Sequence, residues 1–254
     1  MALPAPLRRI PLAHRGYHHG PNCPENSRAA FRAAVDAGYG IEMDAQLSSD
    51  GQAMVFHDYD LGRLTHDSGP IRQRSAAELS KIILKGTQEG IPRLSEVLEL
   101  VDWRVPLLIE IKDQDGIMGP DVGILEQAVA RDLKHYEGPV AVMSFNPHAV
   151  AAFGDAAPDI ARGLVTSAFS DQAWPLLSQA TREHLREIPD FDVVGASFIS
   201  HQASDLSNAR VRELKRKGVP ILCWTIHDPG EEIRARRIAD NITFEGYAPK
   251  IPSP

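Results

Sequence analysis

Strand-like and helix-like runs alternate through most of this chain, and that alternation confines it to βα units laid on a parallel sheet. The helices announce their ends. Ala30, Phe31, Ala34 and Val35 recur at helical spacing after the capping pair Asn26-Ser27, and the run stops at Gly38 and Gly40. Further on, Val211 and Leu214 share a helix face, Lys215, Arg216 and Lys217 suit the negative helix end, and Gly218 closes the run before another strand.

Candidate strands lie near 9–14, 40–47, 52–57, 106–112, 139–145, 161–166, 192–199, 219–226 and 240–244, one more than an eight-stranded α/β barrel needs. Only Ser48-Ser49-Asp50-Gly51 separates 52–57 from the strand before it. A parallel crossover takes about a dozen residues or more, whereas Asp50-Gly51 is a hairpin turn signal. The expectation is an α/β fold, a (β/α)8 TIM barrel forming one domain over 1–254, with 52–57 returning antiparallel at the C-terminal mouth. His57 then comes back to the rim. Residues 58–90 are too long for an ordinary connection and lack apolar periodicity, so they are expected as an inserted segment over the barrel mouth. The barrel resumes at Ile91-Pro92-Arg93-Leu94-Ser95, leading into Val97, Leu98 and Val101 at helical spacing.

A length of 254 residues with 43% hydrophobic content supports a full core. The net charge of -7 gives no electrostatic reason to expect nucleic acid or an anionic membrane as partner, so a small anionic ligand needs local cations. Cys23 and Cys223 lack metal-type spacing, no run approaches transmembrane length, and residues 1–9 carry no apolar signal region. A cytoplasmic protein without stable membrane insertion is expected. The Pro-rich ends, Leu3-Pro4-Ala5-Pro6 and Pro249 to Pro254, read as loose tails.

Four short segments concentrate reactive side chains: His14-Arg15-Gly16, Glu42-Met43-Asp44, Phe56-His57-Asp58 and Glu110-Ile111-Lys112. Strand alternation turns Glu42 and Asp44 to one face and brings Glu110 and Lys112 together on another. Three carboxylates without a thiolate suit one hard divalent cation, Mg2+ or Ca2+. Arg15 and Lys112 supply fixed charge for a phosphate, and His14 and His57 supply proton transfer near neutral pH.

In this order the segments resemble the glycerophosphodiester phosphodiesterase family over nearly the whole length. The resemblance rests on Ala13-His14-Arg15-Gly16, Pro24-Glu25-Asn26-Ser27, Ile41-Glu42-Met43-Asp44, Phe56-His57-Asp58, Ile91-Pro92-Arg93-Leu94, Ile109-Glu110-Ile111-Lys112, Ser144-Phe145 and Cys223-Trp224-Thr225-Ile226. It implies that Glu42, Asp44 and Glu110 hold the cation, that His14 and His57 are the acid/base pair, and that Arg15 and Lys112 bind phosphate. The implied reaction is hydrolysis of a glycerophosphodiester to sn-glycerol 3-phosphate and an alcohol. The preferred assignment has His57 protonating the leaving alcohol and His14 accepting the proton of the attacking oxygen, which is that of water or of the glycerol 2-hydroxyl through a cyclic phosphate, with the two histidine roles exchangeable between steps. Two departures stand out: Asn241-Ile242-Thr243-Phe244-Glu245-Gly246 replaces the family's Thr-Asp-x-Pro element, and His227 stands where Asn is usual. Both are expected to leave the metal and acid/base positions untouched.

A lone histidine or strand-end acid is more often a surface or core residue than a catalyst, and His18, His19, His66, His135, His148, His184, His201 and His227 are read that way. Glu25 reads either as a helix-start charge or as support behind the metal, Asp58 as turn or support, and Trp224 as core or as a substrate-facing ring. Competing functions are a phospholipase of sphingomyelinase-D or phosphoinositide type and a catalytically silent phosphate-binding barrel. The absence of an apolar interfacial helix argues against the first, and the presence of both histidines against the second.

Overall fold

The computed structural model describes residues 1–252. Its strands are β1 (Leu12–Ala13), β2 (Gly40–Leu47), β3 (Ala53–Val55), β4 (Leu107–Ile111), β5 (Val140–Ser144), β6 (Ala161–Thr166), β7 (Phe198–Gln202), β8 (Ile221–Ile226) and β9 (Asn241–Phe244). All but β3 run parallel and close into a barrel where β1 pairs with both β2 and β9. β3 returns antiparallel along β2, with Ala45 opposite Val55. The helices are α1 (Arg28–Ala37), α2 (Ala76–Leu79), α3 (Leu94–Val101), α4 (Ile124–Leu133), α5 (Pro147–Ala156), α6 (Gln179–Glu187), α7 (Ala209–Arg216) and α8 (Pro229–Ala235). The expected (β/α)8 barrel with its antiparallel hairpin is the fold observed.

Strand alternation separates two cores. Ile41, Met43, Ile109, Val142 and Ile199 face the helices, while Leu12, Leu108, Met143, Phe198 and Leu222 fill the barrel interior. The Phe198 ring needs Gly163 on the neighbouring strand, because a Cβ there would lie 2.6 Å from its edge. Helix ends follow the local chemistry: the Ser27 hydroxyl accepts from the Ala30 amide at 3.1 Å to start α1, and Gly38, at φ 77°, ends it.

Three expectations need correction. The first strand is not 9–14 but Leu12–Ala13, since Pro11 has no N–H to donate to a ladder and the chain before it is wound into a 3-10 turn, Ala5–Arg8. That turn also overturns the loose N-terminal tail: Leu3 and Leu7 are buried against Leu12 and Leu222 at the base of the barrel. The Asn241 amide ties it down by donating to the carbonyls of Leu7 and Ile10 at 2.9 and 2.7 Å. At the other end Tyr39 donates to the Pro249 carbonyl at 2.9 Å, so that tail is anchored too; its last two residues lie outside the described residues. The third correction moves the strand expected at 192–199 to Phe198–Gln202. Pro189–Phe191 forms a 3-10 turn and Val193 is exposed, whereas the polar Ser200 and His201 are fully buried strand residues.

Residues 58–90 hold α2 and contribute Leu61, Ile71, Leu79 and Leu84 to a satellite core completed by the flanking Phe56 and Ile91. This core is built from four-residue and shorter turns, which is why no helical period marks it.

Candidate active site

The reactive segments meet at the C-terminal ends of β1, β2 and β4. Asp44 and Glu110 are register partners on adjacent strands, and Glu42 lies one pleat below Asp44 on the same inner face. Each of Glu42, Asp44 and Glu110 offers an oxygen within 4.8 Å of the other two, and all three are buried. Among the described residues this is the one cluster of acids and imidazoles that converges in this way.

Electrostatics show what the cluster lacks. Burial, with Asp44 and Glu110 adding repulsion, pushes the Glu42 carboxyl well above the ordinary carboxylate range. Burial would raise Asp44 as well, but Lys112, His57 and Arg15 and a 2.8 Å hydrogen bond from the Asn26 amide hold it below that range. Lys112 Nζ reaches Glu110 at 2.7 Å and Asp44 at 3.4 Å, leaving Glu42 with only the Arg15 backbone N–H at 3.0 Å. A buried all-oxygen set with one uncompensated carboxylate is what a hard divalent cation completes, so these residues fit one.

The loop after β1 is shaped for this arrangement. Arg15 and Gly16 adopt φ 54° and 84°, and a Cβ on Gly16 would sit 2.8 Å from that of Ala30, so only glycine allows α1 to pack here. The turn aims the Arg15 N–H at the Glu42 carboxylate and the Gly16 N–H at the Glu42 carbonyl. The Arg15 guanidinium donates to Glu25 at 2.7 Å, and its buried Nε, 3.3 Å from Asp44, makes no hydrogen bond. That leaves an open donor beside the acids.

Each candidate acid/base imidazole is held at Nδ1 by a carboxylate. His57 pairs with Asp58 at 2.6 Å and His14 with Glu245 at 2.8 Å. Nε2 of His14 lies 4.0 Å from Glu42. Asp58 is itself clamped by Arg63 at 2.6 and 3.0 Å, and Arg63 also grips Glu25 with two 2.7 Å bonds. Burial lowers the His57 pKa below its ordinary value, Lys112 and Arg15 adding to the effect and Asp44 opposing it. Glu245 is held at about 2 chiefly by its hydrogen bond to His14.

Two cavities that share a wall open here. The inner one, about 350 Å3, is bordered by His14, Arg15, Glu42, Thr243 and Glu245; the outer, about 740 Å3, by Asp58, Tyr59, Arg63 and Trp174. His57, Glu110, Lys112, Phe145 and Trp224 line both.

All nine sequence candidates therefore lie within one neighbourhood: Glu25 braces Arg15, and Trp224 forms part of the wall. Sequence reasoning gave no site role to Glu245 or Arg63 and read Asn26 as part of a helix cap, whereas its amide donates to Asp44. The expectation that the altered segment 241–246 leaves the acid/base positions untouched is wrong, because Glu245 contacts His14 directly. Its signal was strand parity: Asn241, Thr243 and Glu245 share the inner face with His14's level of the barrel. His201, by contrast, is a core residue hydrogen-bonded to Thr166 at 2.8 Å.

The family model described as Glycerophosphoryl diester phosphodiesterase family matches residues 14–242. A glycerophosphodiester phosphodiesterase of Caldanaerobacter subterraneus subsp. tengcongensis is 32% identical over 230 residues, covering 87% of this chain and 86% of that protein. An Oleispira antarctica phosphodiesterase in complex with the product sn-glycerol-3-phosphate superposes with a TM-score of 0.75 at 27% identity, over 92% of this chain and 93% of that one. The Thermotoga maritima glycerophosphodiester phosphodiesterase shares the fold, with a TM-score of 0.70 at 24% identity over 93% and 94% of the two chains.

Proposed function

The chain belongs to the glycerophosphoryl diester phosphodiesterase family, and from that premise we propose how its residues hydrolyse a glycerophosphodiester to sn-glycerol 3-phosphate and an alcohol. The observation that carries the reading is the convergence of three buried carboxylates, two cations and two carboxylate-held imidazoles on one cavity junction.

Glu42, Asp44 and Glu110 would hold one divalent cation, Mg2+ or Ca2+. When bound, that ion supplies charge stabilisation for the phosphoryl oxygens. Lys112 sits at the junction of the two cavities and Arg15 beside it on the inner one, so the phosphate lies between them, taking the open Arg15 Nε–H and the Lys112 ammonium. The inner cavity is the polar one, with the unpartnered Thr243 hydroxyl and the acids around it, and suits the hydroxyl-bearing glycerol. The alcohol then extends into the outer cavity.

This orientation separates the histidines. His57 borders the outer cavity and protonates the departing alkoxide oxygen through Nε2, while its Nδ1 is kept on Asp58. His14 borders only the inner cavity and takes the proton of the attacking oxygen, with Glu245 holding the tautomer that leaves Nε2 free to accept it. The attacking oxygen is that of water or of the glycerol 2-hydroxyl through a cyclic phosphate. Cys23 and Cys223 are both free thiols, in keeping with a reducing cytoplasmic setting. Among the described residues no helix is long and apolar enough to cross a membrane.

Purified protein incubated with glycerophosphoethanolamine, with and without chelator, tests the reading through release of glycerol 3-phosphate. Metal-dependent release is expected, and His57→Ala should lower kcat by about 10²- to 10⁴-fold with the fold intact. No release with any divalent metal would reject it.

A further inference from the structure

Arg63 stands behind the reacting groups, yet its guanidinium joins two of them. Nε and Nη2 donate to the two Asp58 oxygens at 2.6 and 3.0 Å, and Nη1 and Nη2 donate to the two Glu25 oxygens at 2.7 Å each. Both edges of the planar fork are filled by carboxylates, a geometry that a lysine ammonium does not reproduce. With these bonds made, the guanidinium has little donor capacity left for a substrate.

Each carboxylate passes the restraint to one reacting group. His57 Nδ1 pairs with Asp58 Oδ1 at 2.6 Å, and Arg15 Nη1 donates to Glu25 Oε1 at 2.7 Å. These are the same two oxygens that Arg63 Nη2 reaches. A single nitrogen therefore closes an unbroken chain from His57 through Asp58 and Glu25 to Arg15. Its ends come from different parts of the barrel mouth, His57 from the residues after β3 and Arg15 from the loop after β1.

The backbone that carries Arg63 is fixed by residues 58–90 themselves. Leu61 is fully buried in the satellite core. Its carbonyl accepts the Thr65 N–H at 3.1 Å and the Thr65 hydroxyl at 2.9 Å. Lys85 Nζ donates to the carbonyls of Gly62 and Arg63 at 2.8 and 3.0 Å, and the Lys85 N–H to that of Leu64 at 2.8 Å. Every carbonyl from Leu61 to Leu64 is thus held. The Arg63 side chain is 46% exposed, so solvent screening weakens its charge, but aligned bonds on a rigid turn still fix direction.

We propose that Arg63 is a positioning residue that sets His57 and the phosphate-binding Arg15 relative to one another, and that the inserted segment serves the reaction by presenting it. This role rests on the diesterase reading above, in which the phosphate lies beside Arg15 while His57 stands at the leaving oxygen. Small displacements of either group cost rate, because proton transfer and charge cover need one shared geometry.

The test measures kcat and KM for glycerophosphoethanolamine in the wild type, Arg63→Ala, Arg63→Lys, Asp58→Asn and the double variant Arg63→Ala/Asp58→Asn, with folding checked by circular dichroism and Tm. Arg63→Ala is expected to lower kcat by about 10- to 100-fold and to raise KM about threefold or more, since both the imidazole and Arg15 lose their support. Asp58→Asn should lower kcat with KM near wild type. The double variant should lose no more than about threefold in kcat beyond Arg63→Ala, because both changes act on His57 through one contact. Arg63→Lys should stay within about threefold of Arg63→Ala. Millimolar guanidinium chloride, entering from the exposed side, should restore part of the Arg63→Ala turnover where ammonium chloride does not.

A merely structural arginine would lower the folded fraction, reducing apparent kcat with KM unchanged. That pattern unrelieved by guanidinium, wild-type turnover in either Arg63 variant, or losses that multiply in the double variant would overturn the positioning role while the diesterase reading stands. If the wild type cleaves no diester with any divalent metal, the diesterase reading fails and the role with it.

Discussion

Glu245, one residue beyond the last strand, lies 2.8 Å from Nδ1 of His14, one residue beyond the first. The contact exists only because the barrel closes: β1 pairs with β9, and Ala13 is the register partner of Phe244. Barrel closure thus gives His14 the same carboxylate support that Asp58 gives His57 from the next position in sequence.

Replacing Glu245 by Ala should therefore lower kcat by about 10- to 100-fold with KM within about twofold, since the substrate contacts remain and only the imidazole loses its orientation. Glu245→Gln should recover part of the loss, because its amide oxygen can accept the same N–H. Steady-state kinetics decide the matter; a purely proportional rise in KM would assign Glu245 to substrate binding instead.

Glu42 is the acid whose carboxylate takes no hydrogen bond from a side-chain cation, and burial with repulsion from Asp44 and Glu110 outweighs the Arg15 charge, so the ionised form is penalised in the metal-free fold. The sign follows: metal-free protein should gain stability as pH falls from neutral toward the ordinary carboxylate range, and Glu42→Gln should raise its Tm in chelator. The same substitution should shrink the Tm increase produced by added Mg2+ or Ca2+. Differential scanning fluorimetry with and without metal reads both effects, and a lower Tm for Glu42→Gln in chelator would contradict the electrostatic account.

Burial would raise the Glu25 pKa, but hydrogen bonds from Arg63 and the charge of Arg15 outweigh it and hold Glu25 below its ordinary 4.5. A depressed acid contributes stability that is complete above about pH 4.5 and disappears as pH falls through the folded-state pKa. Arg63→Ala should cost about 1 kcal/mol at pH 7, discounted because the guanidinium is partly exposed, and the gap from wild type should close in acid. Urea denaturation at pH 7 and pH 3.5 measures this; an equal gap at both values would assign the loss to packing rather than charge.

Leu7 is fully buried at the base of the barrel, far from the reacting groups at the mouth. Leu7→Ala should destabilise by about 2–4 kcal/mol while leaving KM and kcat near wild type at 25 °C. Chemical denaturation alongside kinetics checks the separation of base from mouth.

Much of the architecture was legible before any coordinates. Glu42 and Asp44 point together because strand side chains alternate, and Asp50-Gly51 forces a hairpin because four residues cannot span a parallel crossover. The strand at Phe198–Gln202 was less legible, since Ser200 and His201 are polar residues whose burial depends on partners such as Thr166 from another strand. The proline-rich start was misread for a related reason: Pro4 and Pro6 are equally consistent with a loose tail and with a 3-10 turn, and only an open barrel base makes Leu3 and Leu7 worth burying.

Short-range rules acting along the chain were enough to set the order of elements, the inward direction of the strand-end acids and the identity of the reactive groups. Which carboxylate braces which imidazole, which cation each acid consumes and which aromatic rings share a wall depended on contacts between residues as far apart as His14 and Glu245, 231 positions in sequence. Strand parity and helix caps are local consequences of backbone geometry, whereas these pairings depend on how eight strands close, and closure is a property of the whole chain.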